Sequence, residues 1–229
     1  MSTGEIAQHE PAEAPARVLT VEGWLSLEDE YLPRVCAGEH RYAHPEAKAA
    51  LVIAARTFVL RAMRDDSALG RSKHIENGES FQVFGPHATQ QCMEAAARTR
   101  GVVLRYQGRL ILANYVAGAL WNDDGSRGKD ETKTEQWVTY NAGRRGRDVR
   151  PTRLSQTTHP GNRGCMSQNY ADFLGSRGYG YHAILRSFYG DDVEFAKLRT
   201  EGVSGPIVAL VALAAFGLVL AGDGGRRGG

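Results

Sequence analysis

Glu39 is the residue whose type and surroundings best suit acid–base chemistry. It follows Val35, Cys36, Ala37 and Gly38 at the end of a short apolar pattern, and an alanine-rich segment begins soon afterwards. A carboxyl group in apolar surroundings keeps its proton to higher pH than an exposed one, because burial disfavours the charged form. We therefore expect Glu39 to have a raised pKa, which suits a residue that donates a proton.

The segment before Glu39 predicts how that carboxyl group is held. Val18–Leu25 is typical of an entry strand, and Ser26 is a candidate N-cap for the helix that follows. Pro33 must lie in the first turn of this helix or divide it into two short pieces. We predict that Gly38 ends the helix as a left-handed cap, so that Glu39 projects from the helix end.

The elements downstream alternate irregularly between helices and hairpins, which is typical of the α+β class. Pro45–Arg64 is predicted as a central helix because apolar residues cover most of its faces. The turn Gln107–Gly108 is the clearest hairpin signal. The other predicted elements are strands at Ser80–Phe84, Val102–Tyr106, Arg109–Val116 and Gln136–Asn141, a loop at Asn122–Glu135, and helices at Thr89–Arg100, Ser167–Arg177 and Tyr181–Tyr189. We assign residues 18–199 to one domain.

Composition narrows the class of protein and of site. The chain has 229 residues, of which 42% are hydrophobic, and a net charge of +2, which argues against nucleic acid as the main partner. Cys36, Cys92 and Cys165 form no CxxC pair, and we favour three buried thiols over one disulfide with a free thiol. His40 and His44 have metal-like spacing but no third ligand in view, so we predict no metal site and no cofactor.

The two ends of the chain differ in character. Residues 1–17 are polar and lack the apolar region of a signal peptide, so we expect a flexible arm. Within the tail of residues 200–229, residues 206–222 carry no charge and are followed by Arg226 and Arg227. We favour a membrane-spanning helix there over a core helix. A soluble protein with an apolar oligomerisation helix is the alternative.

The segment Arg144–Arg153 contains five arginines. A solvated basic loop is the preferred interpretation, and contact with an anionic polymer or lipid headgroups is the alternative.

Several blocks in register resemble the SpoIID/LytB family, typified by stage II sporulation protein D. They are EYL to GE at Glu30–Glu39, the PEA to AARTF helix at Pro45–Phe58, QVFG at Gln82–Gly85, the hairpin Thr99–Gly108, MSQ at Met166–Gln168 and ILRSFYG at Ile184–Gly190. The resemblance extends from about Val18 to Gly190. It implies one SpoIID-like domain of mixed helices and antiparallel hairpins.

By this resemblance, the expected activity is lytic transglycosylation of peptidoglycan between N-acetylmuramic acid and N-acetylglucosamine. Glu39 would protonate the leaving glycosidic oxygen and then take the proton of the sugar's own 6-hydroxyl, which leaves a 1,6-anhydro end. Because the nucleophile is intramolecular, one carboxyl group is sufficient.

The resemblance also implies the residues that would contact substrate. Ser167 and Gln168 match a loop that lines the cleft, and Gln82 and Arg56 match positions near it. For Gln82, Ser167 and Gln168, satisfying backbone groups is an equal alternative, and for Arg56 a buried ion pair is preferred. The remaining predicted substrate-binding residues are His40, Tyr115 and Asn162.

Two departures from the family pattern support another interpretation. A polar Tyr-His-Ser-Ser-Ser-Gly-Gly stretch is replaced at residues 115–120, and Asn162 stands where the family has histidine. A catalytically degenerate, wall-binding or structural component is therefore the alternative function. We expect glycan strands as partner and a location in the cell envelope, reached by the apolar tail or by a phage or injection particle with its own assembly proteins.

Overall fold

In a computed structural model of the chain, the described residues are 10–68, 74–79 and 81–200. They form a mixed α+β fold with antiparallel hairpins, as predicted. The strands are β1 (Glu13–Ala14), β2 (Arg17–Thr20), β3 (Gly23–Ser26), β4 (Val102–Tyr106), β5 (Arg109–Leu110), β6 (Asn114–Val116), β7 (Cys165–Ser167), β8 (Glu194–Lys197) and β9 (Arg199–Thr200). The helices are α1 (Leu32–His40), α2 (Pro45–Ala68), α3 (Gln90–Arg98), α4 (Gln168–Ser176) and α5 (Tyr181–Tyr189).

Helix α2 is the centre of the fold, as its apolar composition predicted. Its 24 residues separate two clusters of buried side chains. On one side Val52 and Val59 pack with Tyr31 and Phe84 of the segments around α1 and α3. On the other side, Ile53 belongs to the cluster that α4 and α5 complete. The core therefore fixes α1, which contains Glu39, and α4, which begins at Gln168, against one common helix.

The start of α1 follows the predicted pattern, but its end does not. Ser26 caps a five-residue π-helical turn, Leu27–Tyr31, by accepting from the Asp29 N–H, and α1 continues with Pro33 in its first turn. Gly38 does not end α1, which runs on to His40. The prediction of a left-handed cap was therefore wrong.

The reason for a glycine at position 38 is the close approach of another segment. A Cβ atom there would lie 2.7 Å from the Val83 carbonyl oxygen and 2.8 Å from the Gly85 nitrogen. Helix α1 can pack directly on the backbone of residues 83–85 only because this side chain is missing.

Replacing Gly38 by alanine should therefore destabilise the domain. Overpacking against backbone costs about 1–3 kcal/mol, which exceeds the gain of about 1 kcal/mol in helix propensity. Urea unfolding would measure the difference. Gly78→Ala is the control, because a Cβ at Gly78 meets nothing within 4 Å. Equal stability of both variants would contradict the argument.

The hairpin signal was correct, but its second strand is divided. Gln107 and Gly108 have φ of 51° and 73°, which a tight hairpin turn requires. Strand β4 pairs antiparallel with β5 and β8. The predicted strand Arg109–Val116 breaks after Leu110, and β6 pairs in parallel with β7 instead.

Three other predicted elements differ from the structure. Val18–Leu25 is the hairpin β2–β3 rather than one strand. Segment 81–84 forms only an isolated bridge, because its backbone bonds largely to side chains. Gln136–Asn141 is not a strand; a 3-10 turn at Glu135–Trp137 precedes irregular backbone whose Asn141 N–H donates to Ser187.

The predicted preference for three thiols was also wrong. Cys36 of α1 and Cys92 of α3 form a disulfide, with their Cα atoms 5.7 Å apart. Cys165 is a buried free thiol. The disulfide joins residues separated by 56 positions, so their proximity exists only once α1 and α3 have packed together.

The two flanking segments are described only in part. Within the predicted flexible arm, Glu13–Ala14 forms β1, which pairs in parallel with β9. No helix in the described part of the chain is long and apolar enough to cross a membrane. The predicted apolar helix at 206–222 lies outside the described residues.

Candidate active site

Glu39 lies in the last turn of α1, half-buried, where three segments of the chain meet. Its Oε1 accepts a hydrogen bond of 2.8 Å from the Val83 backbone N–H. Its Oε2 accepts one of 2.9 Å from the side-chain amide of Gln168, the first residue of α4. The carboxyl group is thus held by one donor on each oxygen, which fixes its orientation.

The Val83 donor is held by a clamp around residues 83–85. The Asn77 side chain accepts from the Phe84 N–H and donates to the Phe84 carbonyl, both at 2.9 Å. Gly85 donates its N–H to the Arg34 carbonyl and accepts from Arg34 Nε. Because Arg34 belongs to α1, this clamp fixes the segment to the helix that carries Glu39.

The Gln168 donor is positioned by the start of α4. Ser167 is the N-cap of α4; its Oγ accepts from the Tyr170 N–H at 3.0 Å and donates to the Ala117 carbonyl. Asn169 also donates its backbone N–H to Ala117. Ser167 is fully buried, so it holds the Gln168 backbone rather than facing a cleft.

A layer of tyrosines and one glutamine lies close to Glu39. Tyr31 donates its hydroxyl to Gln82 Oε1 at 2.6 Å, while Gln82 Nε2 donates to Tyr115 Oη at 2.9 Å and to the Ala55 carbonyl at 3.2 Å. Burial raises the pKa of both phenols, and the nearby Glu39 charge raises them further. Both tyrosines therefore remain neutral hydrogen-bonding groups.

Opposing effects set the pKa of Glu39. Burial raises it most, and the negative charge of Glu79 raises it further. The hydrogen bonds from Val83 and Gln168 stabilise the carboxylate and lower the pKa, but the net direction is upward. A carboxyl group that keeps its proton longer than usual and has fixed geometry is suited to donate a proton to a bound oxygen.

His40 follows Glu39 directly and is half-buried. Burial lowers its pKa, and the charge of Lys48 lowers it further, against the opposing effect of Asp172. His40 is therefore a neutral imidazole near neutral pH. His44 lies beyond the end of α1, where its backbone N–H donates to Asp172. Among the described residues, no group of three potential metal ligands is found.

Arg56 and Asn162, two predicted substrate contacts, are occupied elsewhere. Arg56 is fully buried, donates from Nε and Nη2 to both Glu28 oxygens at 2.8 and 2.6 Å, and donates from Nη1 to Val102. Asn162 holds its own loop: its amide donates to the Thr152 carbonyl and accepts from the Thr152 N–H. The structure therefore assigns both residues to internal support, which for Arg56 was the preferred interpretation.

Four groups at or near the site were not predicted from the sequence. The Val83 N–H has no sequence signal, because any residue supplies one. Tyr31 lies eight residues before Glu39 across contiguous helical turns, which places the two on the same half of the helix and was a usable signal. Glu79 adds negative charge. Tyr42, 91% exposed in the turn after α1, follows Glu39 by three residues in the sequence.

Comparison with known families covers the first half of the chain that forms this site. Residues 18–106 match the family model of SpoIID, described as stage II sporulation protein. The predicted resemblance is confirmed over that region, which contains Glu39, Val83 and Gln82. Gln168 and the final block at 184–190 lie beyond the matched residues. No curated protein matches the chain.

Proposed function

We propose that this chain, whose residues 18–106 match the SpoIID family model, acts on the bacterial cell wall as a peptidoglycan lytic transglycosylase. The family supports a cell-wall role and a peptidoglycan-acting enzyme as the broad class. The finer assignment depends on one observation: Glu39 is a half-buried carboxyl group with a raised pKa and a fixed donor on each oxygen.

The proposed reaction uses Glu39 in two protonation states. Protonated Glu39 gives its proton to the glycosidic oxygen, the bond from that oxygen to the anomeric carbon breaks, and an oxocarbenium-like centre develops. The Glu39 carboxylate then takes the proton of the sugar's 6-hydroxyl as that oxygen bonds to the same carbon. The products are a 1,6-anhydro end and a free hydroxyl, and Glu39 is again protonated.

Gln168 is suited to serve both states of Glu39. As a donor it stabilises the carboxylate at Oε2. When that oxygen carries a proton, rotation of the amide by 180° would present an acceptor instead. Gln82 cannot rotate in this way, since Tyr31 and Ala55 hold its oxygen and its nitrogen. Within the described residues, the Gln168 amide bonds to Glu39 alone.

Gln168→Met should therefore lower kcat by about 10- to 150-fold, in keeping with the loss of a hydrogen bond to a charged group worth about 1.5–3 kcal/mol. The pH at which activity declines should move upward, because the Glu39 carboxylate loses the hydrogen bond from Gln168 that lowers its pKa. The pH profile of kcat would test this. Gln90→Met, an exposed glutamine on α3 that bonds to Glu94, is the control. A profile that does not move would mean that Gln168 supports the protonated and the charged form of Glu39 equally.

The disulfide supports a location outside the cytosol. Disulfides persist in oxidising compartments and are rare where thiols are kept reduced. Cys36–Cys92 joins the helix of Glu39 to α3 and is fully buried. We therefore place the working domain in the envelope or on a particle that reaches it. The apolar tail and its membrane role remain part of this proposal.

The experiment that tests the function is product analysis. Purified glycan strands, bare and peptide-bearing, would be incubated with the full chain and the new ends identified by mass spectrometry. Anhydro ends are the expected result. Reducing ends would mean hydrolysis, with another group such as the nearby Glu79 activating water, and would overturn the transglycosylase assignment.

One observation favours a non-catalytic wall-binding protein as the second candidate. The stretch that replaces the family's polar residues is used structurally: Ala117 accepts from Ser167 and Asn169, and Gly118 accepts from Asn169 Nδ2. No products, together with sedimentation of the chain with cell walls, would support this candidate.

A further inference from the structure

The five arginines of Arg144–Arg153, hereafter the arginine loop, differ from arginines elsewhere in the fold. Most described arginines outside it pair with a carboxylate, as Arg34 does with Glu22, Arg98 with Glu46 and others. Within the described ranges, no arginine of the loop forms a salt bridge. Four of them are exposed: Arg145, Arg147, Arg150 and Arg153.

The backbone of the arginine loop is held by hydrogen bonds to neighbouring residues. Asn141, fully buried, accepts from the Arg150 N–H at 2.8 Å and donates to the Arg150 carbonyl at 3.0 Å. Asp191 accepts from the Gly143 N–H at 3.1 Å and donates its own N–H to the Arg144 carbonyl. Val149 is buried beneath the loop. The exposed guanidinium groups therefore project from a fixed backbone, so less entropy is lost when they bind.

The acidic groups near the loop reduce its charge only in part. Asp148 is exposed within it, while Asp191 holds backbone groups. Asp192 is occupied by Arg163 and by the Gly146 N–H. The arginine loop therefore keeps a local positive excess, although the whole chain carries only +2.

We infer that the arginine loop binds a linear phosphodiester polymer of the cell envelope. A guanidinium group donates two parallel hydrogen bonds to a phosphate, which makes arginine the better match for repeated phosphates. Four exposed arginines spread over nine residues fit a chain of phosphates better than one small anion. Within the loop the branched aliphatic residue Val149 is buried, and Leu154, which directly follows the loop, is 43% exposed. A single partly exposed leucine is a weak anchor for insertion into a bilayer. The site would hold the protein on the wall and is independent of Glu39 and its chemistry.

The test uses full-length protein carrying Glu39→Gln, so that the walls stay intact. Its binding is measured to walls bearing poly(glycerol phosphate) and to the same walls after hydrofluoric acid has removed that polymer. Arg145, Arg147, Arg150 and Arg153 are replaced together by glutamine. The matched control replaces four other exposed arginines that form no carboxylate pair in the described structure, namely Arg17, Arg109, Arg177 and Arg186.

The loop variant should lose about tenfold or more in affinity at low salt, and the control variant should not, although both remove the same charge. Binding should weaken steeply with salt, as for other polyanions, and should disappear on stripped walls. Circular dichroism would check that both variants fold. Equal losses in both variants would overturn the inference, as would unchanged binding to stripped walls. Equally tight binding to phosphatidylglycerol vesicles or to single-stranded DNA would show that the partner is of another class.

Discussion

Replacing Glu39 by glutamine is expected to reduce glycan cleavage by about 10²–10⁴-fold, the range that a general acid contributes. Glutamine keeps the size of the side chain and still accepts from the Val83 N–H through its oxygen, so the geometry around α1 should persist. It cannot give or take the proton that the proposed reaction moves at this position. Release of anhydro ends from glycan strands, measured under single-turnover conditions, gives the ratio.

The same variant should unfold at a higher temperature than the natural chain near neutral pH. Because the folded-state pKa of Glu39 is raised by burial and by Glu79, the folded state holds this proton more tightly than the unfolded chain. The contribution of Glu39 to the free energy of unfolding is therefore fully present at low pH and is lost as the pH rises through the pKa of Glu39 in the folded state. Because glutamine does not ionise, the variant does not lose this stability as the pH rises. Its higher Tm relative to the natural chain should therefore disappear in acid. A variant that is inactive because it is unfolded would contradict the catalytic assignment.

Removing Glu28 is expected to be the most destabilising single change considered, at about 3–5 kcal/mol for Glu28→Ala. Arg56 would remain fully buried with its charge unpaired, and the Gly101 N–H would lose the Glu28 oxygen it donates to at 3.2 Å. Urea unfolding measures the loss. This loss is a large part of the free energy of unfolding of a typical native protein, which is about 5–15 kcal/mol.

Glu28→Gln separates charge from hydrogen bonding in this pair. The amide oxygen can still accept from Arg56, so the loss should be smaller than for alanine but remain clear. Folded protein of either variant should keep its KM for glycan, because Arg56 supports the core. A stable Glu28→Gln variant with a raised KM would instead indicate that Arg56 contributes to substrate binding.

The sequence predicted the helices and turns that are determined by residues close to one another in the chain. The apolar faces of α2, the Gln107–Gly108 turn and the bounds of α5 depend on residues within the same few turns, and all are found. The disulfide is different, because Cys36 and Cys92 meet only through packing of distant helices. Residues 136–141 have strand-like composition, but their backbone bonds to scattered partners, as Thr139 does to Cys165 of β7 and Asn141 to Ser187 of α5. Tertiary contacts therefore decided their conformation.

The site divides in the same way. The family resemblance implied both Glu39 and Gln168, and the structure brings them into hydrogen-bond contact. The Val83 N–H was not predictable, since a backbone donor leaves no mark in the residue type. Gly38 shows how a local rule can give the wrong cause: glycine after an apolar helix fits a cap, whereas the close approach of residues 83–85 is visible only in three dimensions.

The parallel pairing of β1 with β9 has a mechanical consequence. Glu13 lies beside Arg199 and Ala14 beside Thr200, so the chain enters and leaves the described fold at one edge. Tension between segments attached beyond these strands would pull them in opposite directions along their axes, which loads their hydrogen bonds together in shear. That force would pass directly from one strand to the other and bypass α1 and α4. A pulling force on the flanking segments would therefore leave the carboxyl group of Glu39 in place.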